Sequence, residues 1–228
     1  MRISFCAVLF AAALNIMPAT GWAQGSFTLD QVFSKLDDAS KSFRSVEANV
    51  EQTDYTAIVQ VTDKKSGKMF YAKRGGQPRL KLEFNKPQEE FVLVDNGKAQ
   101  IYTPKIKQVQ EASTVGHQDL VQMFLALGFG QTSDDLKKSF DVTVGPDEVV
   151  DGKKTVVLDM KPKNSGTFKA IRMWLEPNPN GWHAVQIKTT EKTDDTHTIK
   201  YSNIKINTSI PDSRFKLDLP KDVKIIRL

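Results

Sequence analysis

Period-two alternation of apolar and polar residues after position 45 constrains this chain more than any other feature. Val46, Ala48 and Val50 alternate with Glu47, Asn49 and Glu51; Leu80, Leu82 and Phe84 alternate with Arg79, Lys81 and Glu83. Successive strand residues point to opposite faces, so such runs give one buried and one wet face, the signature of an antiparallel sheet. The pattern returns in Val156, Leu158 and Met160, in Ile171, Met173 and Leu175, in Val185 and Ile187, and in Ile199, Tyr201, Ile204 and Ile206. Ser66-Gly67, Asn96-Gly97, Asp151-Gly152 and Asn180-Gly181 stand between these runs and tolerate positive φ, which predicts hairpins. About ten strands result, compatible with a barrel, a sandwich or one strongly curved sheet.

Three segments depart from this period. Residues 28–43 place Leu29, Val32, Phe33, Leu36, Ala39 and Phe43 three to four apart, an amphipathic helix, with Thr28 as N-cap and Gln31 at the capping-box spacing. Residues 117–129, HQDLVQMFLALGF, are apolar nearly all round a helix and must therefore be covered on every side. A second short helix follows over 133–140, opened by a Ser or Asp cap.

The first 23 residues carry one charge, Arg2, then a nearly continuous apolar run over 3–17 and small residues at Gly21 and Ala23. This is the pattern of a cleaved export signal, and the run is shorter than the roughly 18 residues a spanning helix needs. Cleavage after Ala23 leaves residues 24–228 as a single domain. Cys6 lies early in the leader, so the mature chain has no thiol for a disulfide, a metal or a lipid. A soluble exported protein is expected. The formal net charge of +5 is mild and spread over pairs such as Lys64-Lys65, Lys73-Arg74, Lys137-Lys138 and Lys153-Lys154, which read as solvated loops, and nucleic acid is not an expected partner.

No catalytic motif stands out. His117, His183 and His197 are far apart in sequence, and no HExxH, GxSxG, GxxxxGK[ST] or GxGxxG occurs, so an enzyme is not expected and neither a cofactor nor a metal is called for. The acidic pairs Asp37-Asp38, Asp134-Asp135 and Asp194-Asp195 read as solvated turn carboxylates. What remains is the apolar segment 117–129 set against a curved sheet. Its Met and Phe side chains suit an adaptable apolar site and equally suit a sealed core.

Four stretches, in order, resemble the LolA-type family of periplasmic outer-membrane lipoprotein carriers. They are VEANVEQ (46–52), SGKMFYAKRGGQPRLKLEF (66–84), LVDNGKAQIYTPKIKQV (93–109) and SRFKLDLPKDVKII (213–226). The resemblance implies a mainly β fold, an incomplete, strongly curved antiparallel half-barrel covered by short helices that act as a lid. It also implies a hydrophobic cavity for the acyl chains of lipoproteins, lined by Phe70, Leu80, Leu82, Phe84, Phe91 and Leu93 on the sheet and by Met123, Phe124, Leu127 and Phe129 on the lid. An arginine after the SG element is the family's lid latch; Arg74 matches that position and Arg79 is second choice. The implied partners of this monomer are acylated lipoproteins, an inner-membrane lipoprotein-releasing ABC transporter and, as an optional acceptor, an outer-membrane receptor. A periplasmic lipid or glycolipid transfer protein, or an envelope-stress sensing protein, is the alternative on the same scaffold. The face of each strand that lines the cavity depends on register, and a one-residue slip exchanges every side chain.

Overall fold

The first helix forms as its caps dictate. Thr28 Oγ1 accepts from the Gln31 amide at 3.3 Å and the Gln31 side chain accepts from the Thr28 amide at 2.9 Å, closing a reciprocal box at the start of α1 (Leu29–Ser42). Its apolar stripe buries Val32, Phe33 and Leu36. The chain then builds β1 (Ser45–Thr56), β2 (Val61–Arg74), β3 (Gln77–Lys86), β4 (Glu90–Asp95), β5 (Lys98–Thr103) and β6 (Gln108–Ser113). After α2 (Ser133–Ser139) come β7 (Phe140–Val144), β8 (Glu148–Val150), β9 (Lys153–Pro162), β10 (Phe168–Glu176), β11 (His183–Glu191), β12 (Thr196–Ile206) and β13 (Lys224–Arg227). The computed structural model describes residues 26–75, 77–114, 128–164, 166–179 and 181–228. The leader expected over 1–23 lies outside the described residues.

Among the described residues, thirteen strands make one sheet, ordered β13-β6-β5-β4-β3-β2-β1-β12-β11-β10-β9-β7, with β8 paired to β9 beside β7. Neighbours are antiparallel except β13 and β6. The sheet is curved and open, and does not close into a barrel. Two meanders, β1–β6 and β9–β12, meet where β1 pairs with β12, so the first strand and a sequence-distant one sit side by side in the middle of the sheet, while β13 lies at its edge.

Both faces carry apolar clusters, of unequal size. The large core gathers Val46, Ala48 and Val50 of β1, Met69 and Tyr71 of β2, Leu80 and Phe84 of β3, and Leu158, Met160, Ile171, Met173 and Leu175 of β9 and β10 against α1, Phe129 and Leu136 of α2. The opposite face holds two smaller clusters, one around Val157, Trp174 and Val185 and one around Phe70, Leu93 and Phe215. Asp37 of α1 joins the two helices, accepting from the Ser133 amide at 2.6 Å and the Ser133 hydroxyl at 2.8 Å.

The turns correct one expectation. Asn96-Gly97 and Asp151-Gly152 are hairpin turns, each with positive φ at both residues. Ser66-Gly67 is not a turn. It lies inside β2 at a register shift, and a Cβ on Gly67 would sit 1.9 Å from the carbonyl oxygen of Glu83. Glycine is required there by the close approach of the β3 backbone. The reversal between β1 and β2 falls instead at Ala57-Ile58-Val59-Gln60.

Candidate functional site

The helix-covered face carries an apolar trough across β1, β2, β3 and β12. Val50, Met69, Leu82, Phe84, Ile199 and Tyr201 line it, with Gln52 at one end, and they enclose a cavity of about 10 Å³. That holds about one water-sized sphere. The Tyr201 hydroxyl is buried among these apolar side chains with no hydrogen-bond partner among the described residues, and burial pushes it well above the usual tyrosine range.

Beyond Gln52 the same face turns polar. His197 Nδ1 meets Asp54 Oδ1 at 2.7 Å and His197 Nε2 meets Glu191 Oε1 at 2.9 Å, while Gln52 Nε2 donates to both Asp54 oxygens at 2.9 and 2.8 Å. Bonding to Asp54, strong enough to outweigh burial, raises the imidazole to about 9. Burial alone would lift the Asp54 carboxyl, but bonds from His197 and Gln52 hold it below its ordinary value. Lys65, 2.7 Å from Glu90 and 5.6 Å from the Phe84 ring centre, adds a further ion pair at this end. Sequence inspection missed the cluster, because Asp54, Glu191 and His197 belong to three strands and only the sheet order joins them.

The end of the expected lid is firmly seated. Phe129 is buried against Phe43, His183 and Tyr201, with ring centres 6.4, 6.1 and 5.2 Å away. Gly128 and Gly130 flank it at φ of 73° and 69°; a Cβ on Gly130 would lie 2.2 Å from the Phe43 ring. The Gly128 carbonyl accepts from the Ala184 amide at 3.2 Å, and the Gly130 carbonyl accepts from Lys73 Nζ. Met123, Phe124 and Leu127 lie outside the described residues, as does the side chain of Arg74; the Arg74 backbone pairs with Gln77.

The sheet separates the other expected cavity residues. Leu80, Leu82 and Phe84 face the helix-covered core. Phe70 and Leu93 face the other way, packed with Phe215, and Phe91 stacks on Tyr102 at 6.0 Å in a cleft of about 470 Å³ beside Lys81 and Arg214. The residues that accompany Leu80 and Leu82 on the core face are instead Met69, Tyr71, Val92 and Val94. Arg79 also belongs to the opposite face. Its guanidinium donates to Asp95 Oδ1 and Oδ2 at 2.8 and 2.9 Å and to Asp212 Oδ1 at 2.9 Å, and lies 4.5 Å from the Phe215 ring centre. Of its described bonds, two go to Asp95 at the end of β4 and one to Asp212 in the C-terminal segment.

One member of each acidic pair, Asp37, Asp135 and Asp195, bonds the backbone of its surroundings. Asp135 closes a capping box with Thr132, and Asp195 Oδ1 accepts from the Ala57 amide at 2.7 Å.

Residues 41–218 match the model of a protein family described as the outer membrane lipoprotein carrier protein LolA. This chain belongs to the LolA family. Among similar proteins, the outer-membrane lipoprotein carrier protein of Pseudomonas putida KT2440 is 23% identical over 223 residues, covering 96% of this chain and 97% of its own. An uncharacterized protein of Methanocaldococcus jannaschii is 25% identical over 198 residues; these cover 86% of this chain and about half, 53%, of that protein. The fold is shared with a conserved protein of Thermus thermophilus, with a TM-score of 0.54 at 12% identity over 87% of this chain and 99% of the other. A DUF1329 protein of Desulfovibrio piger gives 0.50 at 15% identity, over 81% and 94%. Membership in this family gives the chain the scaffold of a lipid- or lipoprotein-binding carrier.

Proposed function

We propose that this LolA-family chain is a non-enzymatic carrier that takes up the acyl chains of lipoproteins on the helix-covered face and moves them across the periplasm. In this reading residues 1–23 are a cleaved leader and residues from 24 onward form one carrier domain. Cargo comes from an ABC transporter of the inner membrane and leaves toward the outer membrane, directly or through a receptor. The observation that supports it is the apolar trough of Val50, Met69, Leu82, Phe84, Ile199 and Tyr201, which holds empty space beside a buried hydroxyl that has no partner among the described residues.

The space is far too small for a fatty chain as it stands, so uptake requires the cover to lift. At about 0.8 kcal/mol per buried methylene, even part of one chain offsets a few lost closing contacts. The proposed moving part is 117–129, with Met123, Phe124 and Leu127 on its inner side, Phe129 as its fixed foot and Arg74 as its latch. The Lys73 bond to the Gly130 carbonyl then belongs to the closed form.

The test is binding to one lipoprotein in triacylated and deacylated form. Retention of the triacylated form alone is expected. Equal binding of both, or none, removes the proposal. Mass spectrometry of lipids retained by the purified protein separates lipoprotein carriage from lipid or glycolipid transfer.

A further inference from the structure

The β1–β2 hairpin has an unusual tip. Exposed reversals ordinarily use Gly, Asn, Asp, Ser or Pro, which supply backbone freedom or local hydrogen bonds. This chain does so at Asn96-Gly97 and Asp151-Gly152. At the tip of β1–β2 it places Ile58 and Val59, with Gln60 at a φ of 55° and Val61 opening β2. Ile58 is 90% exposed, Val59 61% and Val61 47%. β-branched residues in a wet turn contradict local preference, and such contradictions mark functional positions.

On one side the tip stands clear: among the described residues β3 pairs with β2 only from Ser66 onward, so Val61 to Lys65, about 16 Å of strand, have no strand partner there. On the other side β12 pairs with β1 as far as Tyr55 and Asp195 accepts from the Ala57 amide, which fixes the tip at a corner of the sheet. The stem is firm, since β1 and β2 stay in continuous register from Ser45↔Ala72 to Thr56↔Val61. Charges beside it alternate in sign: Asp63 and Lys64 on β2, Lys192 and Asp195 on the β11–β12 turn. The tip therefore offers apolar contact rather than an electrostatic patch.

We infer that Ile58, Val59 and Val61 form a membrane-contacting point that dips into the interfacial layer of a lipid bilayer. A stable protein partner would need roughly 1,000 Å² of complementary surface, which three side chains at one corner of the sheet do not offer. A bilayer needs no matching hollow, and apolar side chains enter its headgroup and acyl boundary directly. The inference goes beyond cargo carriage and does not depend on which ligand the trough accepts. On β1, Val50, Gln52 and Asp54 lead from the trough toward this tip, so contact brings that end of the trough to the lipid surface.

Flotation of the protein with phosphatidylcholine vesicles, and with phosphatidylethanolamine–phosphatidylglycerol vesicles, tests this. Co-flotation with both is expected and should survive added salt of about 0.5 M, several times physiological ionic strength and enough to screen surface charges. Ile58→Asp/Val59→Asp should lower partitioning at least about tenfold, the loss of about 1.4 kcal/mol or more of apolar transfer. Its thermal transition should stay in place, because both positions are exposed. Emission of Ile58→Trp should shift to shorter wavelength on adding vesicles. No co-flotation, equal co-flotation of the double variant, or binding restricted to phosphatidylglycerol and abolished by salt overturns the inference. So does a tip-dependent dimer in light scattering without vesicle binding.

Discussion

Single residues carry more of this architecture than their size suggests. Gly67 sits where β3 crosses so close that any Cβ would enter the Glu83 carbonyl at 1.9 Å. Gly67→Ala is expected to cost about 3 kcal/mol, since the obstacle is backbone and cannot swing aside; a denaturant midpoint measures it. His197 acts through charge. Its imidazole is raised to about 9 by Asp54 and Glu191, so its contribution is complete below about pH 6.5 and disappears as pH rises through 9. The unfolding midpoint should therefore fall between about pH 6.5 and 9 in the native sequence and fall less in His197→Gln. At the acid end Asp54, held low, keeps its contribution above its ordinary value and loses it as pH drops further.

At the level of elements, Arg79 is the bolt between β3 and the C-terminal segment. Arg79→Ala leaves Asp95 and Asp212 without their shared cation and Phe215 without its cover. A loss of about 2 kcal/mol is expected, with faster amide exchange over 211–218 as the specific sign. Elements also explain what sequence could tell. The capping box of α1 and the turns at Asn96-Gly97 and Asp151-Gly152 were legible because each rests on local chemistry. β3 was legible because Leu80, Leu82 and Phe84 alternate cleanly with charged residues. β2 and β4 were not, for Met69-Phe70-Tyr71 and Phe91-Val92-Leu93-Val94 are apolar on both faces. Both faces are covered there, so no period marks the inner one, and Phe70, Phe91 and Leu93 fall on the side opposite to expectation. The Ile58-Val59 reversal lacks turn residues altogether, which leaves Ser66-Gly67 as the apparent hairpin.

For the molecule as a whole, the proposed carrier cycle requires two states separated by only a few kcal/mol, or cargo could be neither held nor released. Lys73→Met removes the bond from β2 to the Gly130 carbonyl and should weaken the closed state. Lipoprotein then stays bound longer, and transfer to acceptor vesicles slows by about tenfold for a loss near 1.4 kcal/mol; unchanged transfer excludes Lys73 from the cycle. Arg74→Leu is expected to act in the same direction. Finally, the pairing of β1 with β12 ties residues such as Val50 and Tyr201 that stand far apart along the polypeptide. Sequence-distant pairings of this kind are slow to nucleate. β1 must wait, one edge bare, until β12 has been made, which makes the newborn chain a natural client for any factor that shields unpaired β-edges.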